Sequence, residues 1–345
     1  MGLSCWRAEG VEIRGQADLF LDYDAPPGPI ETSPVGEIVI KAKHRGEIFK
    51  APDYETAARM LEATGDYRVL RRLTPRSILV SRTVRQGEKF AVILDTETTG
   101  LDHTRDEVIE LGMIAFTYDE EGRIGDTIGT FNALREPSVP ISSEITRLTG
   151  ITPDMVAGQM LDLEAVERFI APADLIIAHN ARFDRPFCER LSKGFQVKAW
   201  ACSHSEISWS GFGFEGSKLG YLLAQCGWFH LGHRAVEDCH ALLEVLASPL
   251  PSEAGLPFKH LLASARKSLL RIWAESSPFD MKDVLKARGY RWNDGTNGRP
   301  KSWWVEVDEE AGEAELTFLR REVYRREVEP YTQRITAFER FRSAR

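Results

Sequence analysis

The sequence predicts an α/β fold, a mixed sheet flanked by helices, and three stretches carry that expectation. Phe90–Leu94 is a run of aromatic, β-branched and small apolar residues that leads straight into Asp95-Thr96-Glu97, the pattern of a buried central strand ending in carboxylates. Glu107–Tyr118 and Gly125–Asn132 read as antiparallel partners around an Asp119–Arg123 turn, giving a meander that one face of helices must cover. Leu175–Ala178 is another apolar strand, breaking at His179-Asn180 into a helix start. At 345 residues the chain exceeds the usual single-domain range, so at least one further folded unit is expected.

In chain order, Met1–Gly36 is rich in turn formers and reads as an extended or partly ordered leader. Glu37–Ile40 and Glu47–Phe49 are short strand candidates around a turn at Lys43–Gly46. Asp53 is placed to cap a helix whose Ala57, Met60 and Leu61 share one side. Arg68, Arg71, Arg72 and Arg76 then fall among apolar residues. They form either a basic accessory surface or the solvated face of a small α/β prefix, and the solvated face is preferred.

On the first strand, Asp95 and Glu97 are two apart and so point to the same side. Paired carboxylates at a buried edge repel unless a proton or cation sits between them. Such a pair suits a divalent-metal phosphoryl-transfer site, because hard oxygen ligands fit Mg²⁺ or Mn²⁺. Alone, the pair also fits a strand-end turn whose acidic and hydroxyl residues cap the next segment. Two later stretches add to it. LIIAHNARFDRPF places Asp184 about a turn into a helix, and GHRAVEDCHALL places His233 and Asp238 near the start of an apolar helix.

Together the three stretches resemble the DEDDh branch of the DnaQ-like 3'-5' exonucleases, over about residues 88–248. Asp95 and Glu97 match the first motif, Asp184 the second (Asn180 to Asp184), and His233 with Asp238 the third. The resemblance implies an RNase H-like core and a two-metal phosphodiester hydrolase. Asp95, Glu97, Asp184 and Asp238 would hold two divalent cations, Mg or Mn. His233 would be the general base, since neutral imidazole accepts a proton near pH 7. Thr98, Thr99 and Asn180 would orient the terminal nucleotide, Leu101 would contact the last base, and Phe183 is a base or sugar contact. His179 reads as structural or supporting, whereas His204, His230 and His240 lack comparable partner spacing.

Between the motifs, PISSEITRLTGIT resembles the family's I-T-x-x-T-G-I linker, with Ile145, Leu148 and Ile151 available near the nucleotide; a short helix closed by Gly150 is compatible with it. Leu161–Ile170 reads as an amphipathic helix and Val197–Cys202 as a short strand. Phe187, four residues after Phe183, is assigned to the core. Trp209, Phe212 and Phe214 either stack bases or pin their loop to the domain, and both readings stand. Leu219–Ala224 continues as helix until Gly227.

The chain thus divides into three segments: an N-terminal extension at 1–87, partly ordered, an exonuclease domain at 88–250, and a C-terminal accessory domain at 255–345. In the last, LLASARKSLLRIWA reads as a helix carrying Arg266, Lys267 and Arg271, and MKDVLKARG as a second. YRW and KSWWVEV form a hairpin, in a pattern resembling small LKxxGYRW…KxWW modules of nucleic-acid processing proteins. Tyr290, Trp292, Trp303 and Trp304 alternate between a buried and an exposed set. Glu313–Tyr324 reads as a helix, and residues after Pro330 as a short helix or frayed tail whose Ile335, Phe338 and Phe341 suit docking.

A net charge of −8 argues against general electrostatic grip on long nucleic acid, but not against binding a strand end at a metal site. The charge is uneven: Lys259–Arg345 holds 18 Lys and Arg against 14 Asp and Glu. This unit is expected to add substrate grip rather than chemistry. Five scattered cysteines without a CxxC suit a reducing compartment. No signal-peptide core or apolar run of membrane length is evident, so cytoplasmic residence without a membrane partner is expected. The expected activity is 3'-5' hydrolysis of single-stranded nucleic acid at its 3' end, DNA ahead of RNA, in repair or proofreading, with a polymerase or repair protein as candidate partner. A small-RNA trimming enzyme and a catalytically silent binding or polymerase-associated scaffold are the alternatives.

Overall fold

The computed structural model describes residues 39–40, 49–50, 53–79, 87–296 and 298–342. The leader at Met1–Gly36, the Lys43–Gly46 turn and Cys5 lie outside them. The chain divides into two compact units, residues 1–68 and 69–345. In the first, β1 (Val39–Ile40) pairs antiparallel with β2 (Phe49–Lys50), and α1 spans Tyr54–Glu62. Asp53 caps α1 as expected, its Oδ1 accepting from the Thr56 amide at 2.8 Å.

The second unit opens with β3 (Arg71–Arg72). Then come β4 (Lys89–Thr98), β5 (Val108–Tyr118), β6 (Ile124–Leu134), α2 (Ser143–Thr149), α3 (Pro153–Val156) and α4 (Leu163–Ile170). β7 (Leu175–Ala178), α5 (Ala181–Leu191), β8 (Trp200–Cys202), α6 (Leu219–Gln225), β9 (Trp228–Phe229), α7 (Ala235–Ala247) and α8 (Pro257–Arg266) come next. β3 pairs in parallel with β9. The central sheet has the order β6-β5-β4-β7-β8, antiparallel through the meander and parallel from β4 to β8. With helices on both faces, this is an RNase H-like α/β fold.

The period of two along β4 sorts its side chains between two cores. Ala91 and Ile93 pack with Cys239, Leu242 and Leu246 of α7 and with Phe258 and Leu261 of α8. Val92 and Leu94 pack with Val166 and Ile170 of α4 and with Phe187 and Cys188 of α5. The strand therefore delivers Asp95 and Glu97 on the α7 side and Thr96 on the α5 side. Arg76 is tied to α7 by paired bonds to Glu244 at 2.5 and 2.9 Å, which makes it a clamp within this unit. The loop aromatics resolve in favour of pinning: Trp209 is buried and donates Nε1–H to the Ser203 carbonyl at 2.7 Å, Phe214 packs edge-on against it, and Phe212 packs on His260.

The C-terminal part differs from expectation in three places. The stretch read as one long helix is α8 followed by a strand, β10 (Leu269–Glu275), because Lys267 leaves helical geometry and the following apolar residues pair with two neighbours. After α9 (Lys282–Ala287), β11 (Arg291–Asn293) and β12 (Ser302–Asp308) form the expected hairpin. α10 (Gly312–Phe318) runs into a π-helical turn at Leu319–Tyr324. Residues after Pro330 are not a frayed helix but β13 (Thr332–Ile335), which completes an antiparallel sheet of order β11-β12-β10-β13. The strand at Val197–Cys202 is likewise shorter than expected, since Lys193–Val197 is a 3-10 turn.

Candidate active site

Four acidic residues meet where β4 and β7 end. Asp95, Glu97 and Asp238 each offer one oxygen, and the three oxygens lie within 4.8 Å of one another. Asp184 comes from the first turn of α5, on the other face of the sheet, and accepts a 2.8 Å bond from Thr96 Oγ1. Thr96, between the two β4 carboxylates, thus anchors the second-motif carboxylate across the strand. Burial, followed by the charges of Asp184, Asp238 and Glu97, pushes the Asp95 carboxyl well above the usual range. Burial and the charges of Asp238, Glu110 and Asp184 raise Glu97 to about 8. Burial raises Asp184 to about 7 against the opposing Thr96 hydrogen bond. Carboxylates so crowded that they hold protons at neutral pH are the donor set a hard divalent cation fits. By the convergence of their oxygens, Asp95, Glu97 and Asp238 form a candidate metal site.

Three residues not singled out from the sequence build this geometry. Gly112, opposite Asp95 on β5, lets the start of α7 approach the sheet: a Cβ there would lie 2.4 Å from the Ala235 carbonyl carbon. A glycine inside an apolar strand is the available sequence signal for such an approach. Glu110, opposite Glu97 and fully buried, accepts from the Ala235 amide at 3.1 Å and from the Arg234 guanidinium at 2.9 to 3.2 Å. The cation and the helix N-terminus offset its charge beside the metal ligands. His230 is the third. Its Nε2 lies 2.6 Å from Asp238 Oδ1, so it has a partner the sequence spacing did not suggest.

The third-motif histidine is placed differently. His233 is exposed, has a φ of 65°, and donates its backbone N–H to Asp238 Oδ2 at 2.8 Å. Its imidazole is thus beside the site without a bond to the carboxylates. His179 is structural, held between Ser203 Oγ at 2.9 Å and the Ser217 carbonyl at 2.7 Å, and burial lowers it to about 4. Thr98 is buried and donates to the Gly100 carbonyl, and Thr99 Oγ1 accepts from the Glu107 amide, so both hydroxyls shape the loop after β4. Asn180 is exposed at the start of α5, Phe183 is half-buried against Phe187 at 5.0 Å, and Leu101 is 86% exposed. Ile151 is buried with Ile109 and Val156, whereas Leu148 is 52% exposed.

Residues 92–246 match the RNase_T family, whose description is Exonuclease. The chain carries a DEDDh-type exonuclease domain. Over 165 residues this domain region is 33% identical to a PolC-type DNA polymerase III of Caldanaerobacter subterraneus subsp. tengcongensis, covering 46% of this chain and 11% of that protein. It is 29% identical over 170 residues to the DNA polymerase III subunit epsilon of Treponema pallidum, covering 46% of this chain and 76% of the subunit. A solved structure of Exonuclease X with 5' overhanging duplex DNA is 23% identical, covers 49% of this chain and 99% of its own, and has a TM-score of 0.35. The chain thus spans only about a tenth of the PolC-type protein's length. Among the described residues, no helix is long and apolar enough to cross a membrane.

Proposed function

We propose that the exonuclease domain removes nucleotides from the 3' end of single-stranded nucleic acid, DNA ahead of RNA, using two divalent cations, Mg or Mn. The observation that carries this reading is the convergence of Asp95, Glu97 and Asp238 with buried Asp184 behind them. These four carboxylates would hold the ions, which when bound lower the pKa of water and offset charge on the departing oxygen. His233 takes a proton from the attacking water; the water oxygen bonds to phosphorus, the bond to the 3' oxygen breaks, and that oxygen is protonated. A nucleoside 5'-monophosphate leaves. Thr98, Thr99 and Asn180 orient the terminal nucleotide, while Leu101 and Phe183 contact its base or sugar.

In this reading residues 88–250 are the catalytic domain, 1–87 an extension and 255–345 an accessory domain joined through α8. A polymerase or repair protein is the proposed partner, a reading supported by similarity to DNA polymerase III chains. With Mg²⁺ or Mn²⁺, purified protein is expected to shorten a 5'-labelled single strand stepwise and to stop with chelator. Cutting of a circular single strand would exclude the exonuclease reading. Competition between matched DNA and RNA strands tests the trimming alternative. Equal inactivity of wild type and Asp184→Ala, with equal strand binding, would favour the scaffold.

A further inference from the structure

The C-terminal sheet has a face that its helices do not use. Ile272, Ala274 and Val305 point toward α9 and α10 with Leu285 and Leu319, forming a small core. By the period of two, Arg271, Trp273 and Trp304 point the other way, joined by Arg291 from β11. There the arginines lie over the indoles: the Arg271 and Arg291 guanidiniums are 4.9 and 5.3 Å from the Trp304 ring centre, and Arg299 is 5.2 Å from that of Trp273.

We propose that this face is a second contact surface for the nucleic-acid strand whose 3' end enters the carboxylate site. The proposal rests on the exonuclease reading and names where the rest of the substrate goes. A planar guanidinium stacked on an indole keeps its N–H edge free for phosphate oxygens, and indole faces stack bases without sequence preference. Arg291 is exposed and has no carboxylate partner among the described residues, whereas Arg271 bonds Glu306 at 2.5 Å. Two buried polar atoms on the same face also lack partners among the described residues: Trp273 Nε1, on a side chain only 4% exposed, and Gln333 Oε1 on the adjoining β13. The charge fits a polyanion, since Lys259–Arg345 is the positive part of an otherwise acidic chain.

Placement sets the length of strand required. The C-terminal unit joins the core where β4 and β7 begin, with Lys89 and Leu175 sharing a cleft with Lys267 and Ala337. Asp95 is six residues further along β4, about 20 Å at ~3.3 Å per residue. A strand must therefore run several nucleotides beyond its 3' end to touch both places. A single nucleotide ester cannot.

The test uses the full chain. Binding of a fluorescein-labelled oligothymidine of about 20 nucleotides is followed by anisotropy in chelator, and hydrolysis of thymidine 5'-monophosphate p-nitrophenyl ester with Mn²⁺ reports the catalytic site alone. Arg291→Glu is expected to lower the salt slope of 20-mer binding by about 1, and Trp304→Ala to weaken binding roughly tenfold. Both are expected to leave ester hydrolysis unchanged. If Trp304→Ala loses its cooperative melt, Arg291→Glu decides, because Arg291 is exposed. Intact ester hydrolysis with 20-mer binding and salt slope unmoved by Arg291→Glu overturns the surface, and points that face toward a protein. Binding that depends on Arg291 in a protein that hydrolyses neither the ester nor a longer strand supports the surface and removes the exonuclease reading instead.

Discussion

Gly112 and Ala235 meet backbone to backbone, and that contact sets where Asp238 stands. A Cβ on Gly112 would lie 2.4 Å from the Ala235 carbonyl carbon and 2.4 Å from the Val236 nitrogen, closer than real Cβ contacts allow. α7 must then move away from β5, carrying Asp238 away from Asp95 and Glu97. Gly112→Ala is expected to cut turnover about 100-fold, the usual cost of a displacement near 1 Å in a catalytic constellation. It should also weaken Mn²⁺ binding measured by calorimetry. Wild-type affinity and turnover would mean that the strand, not the helix, yields.

The two histidines on either side of Gly232 are expected to separate. His230 holds Asp238 Oδ1 through its side chain, whereas His233 holds Oδ2 through its backbone and leaves its imidazole exposed. Replacing a residue that orients a metal ligand typically costs at least about tenfold in metal affinity. His230→Gln should therefore weaken Mn²⁺ binding while keeping the acid limb of the pH–rate profile. His233→Ala should keep metal binding, lose about 100-fold or more in rate, and lose that limb. An unchanged rate and limb in His233→Ala would end its assignment as the base.

Crowding of the carboxylates also predicts how metal-free stability varies with pH. Glu97 at about 8 and Asp184 at about 7 hold protons in the folded protein that the unfolded chain releases near pH 4. Between those values the native state binds more protons, so stability falls as pH rises through about 7 and 8. Depressed carboxylates such as Asp102, which Thr104 holds below the usual range, titrate beneath this window. Melting temperatures in chelator should drop from pH 5.5 to pH 8, and Mn²⁺ should raise them more at pH 8. Metal present at 100 times its Kd adds about 2.7 kcal/mol. Melting that rises with pH in chelator would contradict the arrangement.

How much of this was legible in the sequence depends on range. Strand β4 with its alternating carboxylates, the β5–β6 meander, β7 and the Asp53 and Gly150 caps are local patterns, and each formed where its residues indicated. The Lys267 break was missed because apolar spacing in LLASARKSLLRIWA suits a helix as well as a buried strand, and pairing with β12 and β13 decides between them. At the site, the four acids could be read from motif order and context. His230 and Glu110 could not, because their partners, Asp238 and Arg234, are set by the turn before α7 and by β5 lying beside it. Long-range polar pairing leaves no periodicity to read.

The final prediction concerns the tail, which the spacing of Ile335, Phe338 and Phe341 marked as a docking segment. Arg185 is fully buried on α5 and donates to the Phe338 and Arg340 carbonyls at 2.7 Å and to that of Ala337 at 3.4 Å, with Glu189 as its carboxylate at 2.8 Å. The Ala337 carbonyl also accepts the Trp200 amide at 2.8 Å, and buried Arg340 pairs with half-buried Glu206. Ending the chain at Ile335 strips three acceptors from a buried guanidinium and the cation from Glu206. A buried pair that loses one member costs about 3–5 kcal/mol, so the shortened protein should melt well below the full chain. Arg185→Met in the full chain should also destabilise, but the two changes together should cost less than their sum, because the same bonds are lost in both. Strict additivity in the thermal melts would mean that the tail is held by its apolar contacts alone and that Arg185 serves α5 only through Glu189.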